Sequence, residues 1–258
     1  RQGVNGMAVL FSLVVMRVSG AIAGNPVFGK TNFPPRARAC MIVALSVCLH
    51  QSTGSGSYRA PGSLVEYAVM LGGELLFGLV ISFAMELSFM TVRFASSVMD
   101  YCMGLSMAQI YDPQYGTQST VSSGLYYTFM ALIFFATNGH LRLFSIFYTS
   151  AELIPFGTVS LRPEIMEVAA AAFCQSIVMG MQFAFPVIAM ELLSEAAMGI
   201  LMRVVPQINV FAVNFQVKIL VGMFMFLLIF SPMADRLGVI LEEMYGIMEQ
   251  LAASMGGV

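Results

Sequence analysis

Long uninterrupted apolar runs limit most strongly what this chain can fold into. Residues 7–23, 64–92, 122–137, 140–154, 167–193 and 211–231 are mainly apolar, with Leu, Met, Ala, Phe, Val and Ile in the majority. A helix needs ~20 such residues to cross a bilayer. A further run, 39–50, is too short to cross alone, and 232–253 reads as an amphipathic helix with Glu242, Glu243 and Glu249 on its exposed faces. A membrane β-barrel would show ~10-residue segments of alternating polarity instead. The runs here are continuous, so the expected fold is all-α, of membrane-type helical hairpins.

Composition agrees. Of 258 residues, 58% are hydrophobic and only 10% charged, against about 25% charged in soluble domains. So few charges cannot cover a water-facing surface; most of the outside must face lipid or other protein. The formal net charge of −2 and the absence of a Lys/Arg run give no sign of a nucleic-acid partner, and none is expected. The length allows one domain, or two at most. The run 7–23 could be taken for a signal peptide. Arg17 inside it, and Asn25-Pro26 where small residues would mark cleavage, favour a retained helix.

Punctuation divides the runs. Pro34-Pro35, the Ser/Gly-rich stretch 51–62, residues 161–163 and Ser231-Pro232 are each expected to break the chain. Gly20 and Gly24 form a G-x-x-x-G pair that admits a neighbouring helix closely, and Gly72, Gly73 and Gly78 suggest the same for the third run.

Charges inside the apolar runs constrain function. Arg17, Glu74, Glu86, Arg93, Asp100, Glu191, Glu195 and Lys218 interrupt or flank them. One charge at a helix centre costs ~2.5–3.5 kcal/mol on the insertion scale. Glu191 and Glu195 stand one turn apart and point the same way, and Glu86 and Arg93 also share a face. Such groups can line an ion path, pair to fix helix packing, or lie on helices that pack against other subunits. The scattered basic residues do not settle topology; Lys30, Arg36 and Arg38 form the one basic loop.

No catalytic set is legible. There is no G-x-S-x-G elbow, phosphate-binding loop or H-E-x-x-H zinc helix. His140, in Asn138-Gly139-His140, reads as a cap or packing residue. Cys40, Cys48, Cys102 and Cys174 lack C-x-x-C spacing and read as small buried hydrophobes. The expectation is therefore no enzyme, no metal and no cofactor. The 22 Met and 21 Phe are ordinary fillers, or, on a second reading, a compliant pore lining.

Two segments stand apart. Residues 104–123, GLSMAQIYDPQYGTQSTVSS, form a polar stretch between apolar helices, too long for a tight turn, and read as a functional loop or lid. Residues 199–211 carry Arg203, Pro206, Gln207 and Asn209, with Lys218 beyond. Pro206 should break the helix, and such a polar break must be buried in protein or face water.

This run, Met198-Gly199-Ile200-Leu201-Met202-Arg203 through Pro206-Gln207-Ile208-Asn209-Val210-Phe211 with Lys218, resembles the C-terminal signature of the FliR family, the flagellar branch of the type III secretion export apparatus. Arg17-Val-Ser-Gly20, Asn25-Pro26-Val-Phe28-Gly29, Pro35-Arg36, Gly73-Glu74, Gly78 and Asp100 resemble the rest of the pattern. Two positions depart mildly. The family often has Gly where Asn138 stands and Asp where Glu195 stands. The resemblance covers nearly the whole chain.

It implies a single FliR-like domain over 1–258, with a FliP-like part to residue 161 and a FliQ-like part over 162–258. It implies assembly with FliP and FliQ in a hetero-oligomeric export gate of the inner membrane, neighbours FlhB and FlhA, and transient contact with unfolded flagellar substrates. Loop 104–123 matches the family's pore plug, with Met107, Ile110 and Tyr111 as blocking residues. Arg203, Pro206, Gln207, Asn209, Lys218, Glu191 and Glu195 are expected in subunit packing. The rival reading is a polytopic ion or small-molecule transporter using Glu191, Glu195 and Arg203 at a broken helix.

Overall fold

A computed structural model of the chain describes residues 2–29, 34–53, 61–105, 110–112, 117–160, 162–205 and 210–256. Seven helices account for nearly all of them: α1 (Gln2–Ala23), α2 (Pro35–Thr53), α3 (Leu64–Cys102), α4 (Val121–Ala136), α5 (Gly139–Leu153), α6 (Glu164–Val204) and α7 (Val210–Gly256). Between α3 and α4 lies a hairpin of two three-residue strands, β1 (Ile110–Asp112) and β2 (Thr117–Ser119). They pair antiparallel, Tyr111 opposite Gln118. The polar stretch expected to be a loop thus contains local sheet in an otherwise all-α fold. By length and composition four helices can cross a membrane, or five spans if the broken pair α4–α5 counts as one.

The helices outrun the apolar windows that announce them. α3 holds 39 residues, α6 41 and α7 47. Apolar surroundings offer backbone N–H and C=O groups no partner but one another, so a helix persists past its apolar core. For this reason Ser231-Pro232 does not break the chain: Pro232 lies inside α7 and Pro186 inside α6. Each removes one backbone donor. Ending the helix would expose several.

The chain forms two compact units, and α3, α6 and α7 each contribute to both. In the first, α1 packs on α2 and on the first part of α3, around Leu13, Val14, Val18, Leu49 and Phe156. The contact between α1 and α3 is made by glycine. A Cβ on Gly20 would strike the backbone of Leu75, 3.2 Å from the Gly78 Cα, and one on Gly78 would strike the Arg17 carbonyl. Gly24 sits likewise against Ser82, which hydrogen-bonds to the Gly20 carbonyl at 3.4 Å. The expectation for Gly72 and Gly73 fails: a Cβ at Gly72 would meet nothing within 4 Å, and one at Gly73 only the Val159 side chain at 3.8 Å. A capping arrangement starts α3, with Ser63 accepting from the Glu66 N–H at 3.1 Å and Glu66 from the Gly62 N–H at 2.7 Å.

In the second unit, α6 and α7 pair antiparallel, Glu195 facing Lys218 and Glu191 facing Gly222. Tyr126 of α4 wedges between them. Its ring meets Phe183 at 5.3 Å and Phe226 at 5.1 Å, and its hydroxyl donates to the Met233 sulfur at 2.5 Å. The cysteines correct another expectation: Cys40, Cys48 and Cys174 are exposed and Cys102 partly so. They lie on outward apolar faces, where a small hydrophobe is as suited to lipid or a partner as to a core.

Candidate functional site

Two arrangements use the charges that the apolar runs enclose. The first lies in the first unit. Arg17 and Glu74 are completely buried and face one another, Arg17 Nε donating to Glu74 Oε2 at 2.5 Å and Nη2 to Oε1 at 3.2 Å. Most of the remaining capacity is used as well. Nη1 donates to the Ser150 carbonyl and Nη2 to the Ile154 carbonyl, both at 3.3 Å, while Glu74 accepts the Gly157 N–H at 2.8 Å. Phe77 and Phe156 cover the guanidinium, 4.5 and 4.2 Å from their ring centres. The planar fork of arginine suits this work, because it reaches a carboxylate and two helix-terminal carbonyls together. One ion pair thereby ties α1, α3, the end of α5 and the turn after it.

The second is the root of the hairpin, in the second unit. Asp100, wholly buried in the last turn of α3, accepts the Ser122 N–H at 3.0 Å and the Ser122 hydroxyl at 2.5 Å. A carboxylate from one helix thus caps the N-terminus of the next, where backbone donors lack partners. The two ends of segment 104–123 are held together by this cap. Next to it Met103 is buried against Gly222 of α7, which has no side chain to exclude it. Gly104 has φ +75, the left-handed region that favours glycine, and a Cβ there would lie 3.3 Å from the Phe215 ring.

Glu191 completes this root. It is 3% exposed, neither carboxylate oxygen has a hydrogen-bond partner, and Oε1 points toward Gly222. One turn on, Glu195 is exposed and ion-paired with Lys218. The two glutamates expected to point alike do share a side of α6, but only Glu195 reaches its cation. Arg203 is exposed in the last turn of α6. Pro206, Gln207 and Asn209 lie outside the described residues, between the end of α6 at Val204 and the start of α7 at Val210. Met107 also lies outside them. Ile110 and Tyr111 belong to β1.

Sequence reasoning singled out Arg17, Glu74 and Asp100 but not their partners. Ser122, Met103 and Gly222 carry no signal of their own. Two opposite charges, each alone in an apolar run, are the one clue to a pair separated by 57 positions. At the other junction, Asn138 adopts φ 58, ψ 31. This left-handed conformation explains why glycine and asparagine both suit the position. Gly139 beside it has no room for a Cβ, with Phe134 ring atoms and the Tyr245 hydroxyl in the way. No group of three potential metal ligands occurs among the described residues.

Fold and site together define a helical membrane-type protein whose buried charges tie one helix to another. Comparison makes this specific: the family model described as bacterial export proteins, family 1, matches residues 8–244, and the chain belongs to that family, the family of FliR. It is 30% identical over 230 residues to the flagellar biosynthetic protein FliR of Bacillus subtilis, covering 86% of each chain. It is 22% identical to that of Escherichia coli over 95% of this chain and 94% of the relative. It is also similar to the surface presentation of antigens protein SpaR of Shigella flexneri, 27% identical over 66% of each.

Proposed function

We propose that this chain is a non-catalytic subunit of a flagellar type III export gate in the bacterial inner membrane, assembled with FliP and FliQ and adjoining FlhB and FlhA. The pore so formed passes unfolded flagellar proteins, and segment 104–123 is its plug. On this reading residues 1–161 are the FliP-like part and 162–258 the FliQ-like hairpin. Met107, Ile110 and Tyr111 stand in the pore, and Arg203, Pro206, Gln207, Asn209, Lys218, Glu191 and Glu195 hold subunits together.

The observation that carries the reading is the rooted hairpin. A plug must keep its place while its tip meets passing chains, and the Asp100–Ser122 cap with buried Met103 fixes both of its ends. Helix length supports it too. A 41- or 47-residue helix has roughly 60–70 Å of rise, about twice a hydrocarbon core of ~30 Å. Such helices have apolar surface to spend on protein neighbours as well as on lipid.

The test is the intact mass of the detergent-solubilised particle purified through a tag on this chain, after co-expression with FliP- and FliQ-like subunits. One copy within a large hetero-oligomer of defined mass is the expected result. A lone monomer or homodimer, with both partners well expressed yet absent, overturns the proposal and favours a transporter.

A further inference from the structure

In the α6–α7 seam of the second unit, the exposed glutamate has the cation and the buried one has none. Lys218 of α7 pairs with Glu195, whose side chain is 48% exposed and has water for a partner in any case. Glu191, one turn away on α6 and 3% exposed, has no hydrogen bond to either oxygen. A buried carboxyl group without hydrogen bonds is costly whether or not it carries its proton. Positions 218 and 222 lie on one face of α7, a turn of about 5.4 Å apart, a span that the four-carbon stem of lysine can sweep. The way is taken at Gly222. The Met103 thioether fills the place that a side chain there would occupy, and Glu191 Oε1 lies 3.2 Å from that same place. Met103 is 1% exposed. Glycine costs a helix stability; here it makes room for the thioether beside Glu191.

We infer that Met103 and Lys218 compete for one place and so form a two-position latch. With Met103 seated on Gly222, Lys218 is kept on Glu195. When Met103 lifts, the ammonium takes its place and pairs with Glu191. Seating buries a methionine side chain, and lifting gives a buried carboxylate its cation. The two gains are of one order, as an element with two discrete arrangements requires. Met103 directly precedes Gly104, so the latch decides whether the root holds at its α3 side. That it thereby regulates a plug rests on the function proposed above; the latch itself does not.

Met103 supplies its own readout, because hydrogen peroxide converts a buried thioether to the sulfoxide only as fast as it becomes exposed. The full chain is purified alone in detergent, and oxidation of Met103 is followed by peptide mass spectrometry, with exposed Met166 as the reference. Removing either partner of an ordinary surface pair acts in one direction; a latch makes the two act oppositely. Lys218→Leu, which leaves Glu191 nothing to gain from lifting, is expected to slow Met103 oxidation roughly fivefold. Glu195→Gln, which frees Lys218 for Glu191, is expected to speed it roughly two- to fivefold, and to have no effect when Glu191→Gln is also present. A melting curve like that of the parent establishes that each variant is folded; where Lys218→Leu is not, the Glu195→Gln comparison alone decides. Shifts in the same direction, no shift from either single variant, or an acceleration by Glu195→Gln that survives Glu191→Gln overturns the latch. The chain is assayed without partners, so these outcomes are separate from the particle mass that tests assembly.

Discussion

Arg17 is the side chain on which most of the first unit converges, and its environment fixes what its loss should do. A buried pair is weak evidence of net stability, yet removing one partner leaves an uncompensated charge, typically at a cost of about 3–5 kcal/mol. Arg17→Met should therefore lower the melting temperature in detergent by roughly 10 °C, taking about 2–4 °C per kcal/mol for a chain of this size. The double variant Arg17→Met/Glu74→Met should recover much of the loss. Equal melting of the single variant and the parent would mean that the ion pair does not hold these helices. Asn138 invites a milder test. Its left-handed backbone costs a β-branched residue about 1–2 kcal/mol and glycine nothing. Asn138→Val is thus expected to lower the melting temperature and Asn138→Gly to leave it level or raise it.

Among elements, the meeting of α1 and α3 depends on missing side chains. Gly78→Ala puts a methyl group into the Arg17 carbonyl and the Ala21 N–H, which the two helices can relieve only by separating. Gly72→Ala, six residues earlier on the same helix and with nothing within 4 Å, should leave the melting temperature level or raise it slightly. A limited-proteolysis or melting comparison of the two variants checks this, and equal behaviour would deny the close approach. The glycine pattern also shows how far sequence can be read. G-x-x-x-G spacing announced the close helix at Gly20 and Gly24, yet Gly72, Gly73 and Gly78 looked alike, because the facing surface decides which glycine is needed. The existence of every helix was legible from apolar runs. Their ends were not, since Pro232 breaks a helix in water but not where the backbone has no other partner. Of the hairpin root, Asp100 was legible as a charge out of place. Ser122 and Gly222 were not, being ordinary residues made important by what lies across from them.

For the whole molecule, the dominant fact is apolar surface left uncovered. Phe173, Ile177, Met181, Phe185, Leu192 and Leu193 of α6, and Leu220, Phe224, Leu227 and Leu228 of α7, are all exposed. Of its most apolar 18 residues α7 buries 11%, against 61% for α3. α3 is thus a largely buried helix, whereas α6 and α7 leave most of their apolar surface open. Cys174 on α6 reports on this, being exposed in the chain alone. Its alkylation should slow severalfold once FliP- and FliQ-like subunits co-purify. An unchanged rate in the assembled particle would mean that this part of α6 is not an assembly face.

The Arg17 tie also has a consequence for biogenesis. Arg17 leaves the ribosome 57 residues before Glu74 and 133 before Ser150. At about 5–20 residues per second, roughly 3–11 seconds pass before its carboxylate exists, and longer before the α5 carbonyls do. Through that interval the first helix carries a lone guanidinium that hydrocarbon disfavours. In the gate proposed above, this helix is expected to wait at the interface or in the insertion machinery, and to enter the bilayer together with α3 as a neutralised pair.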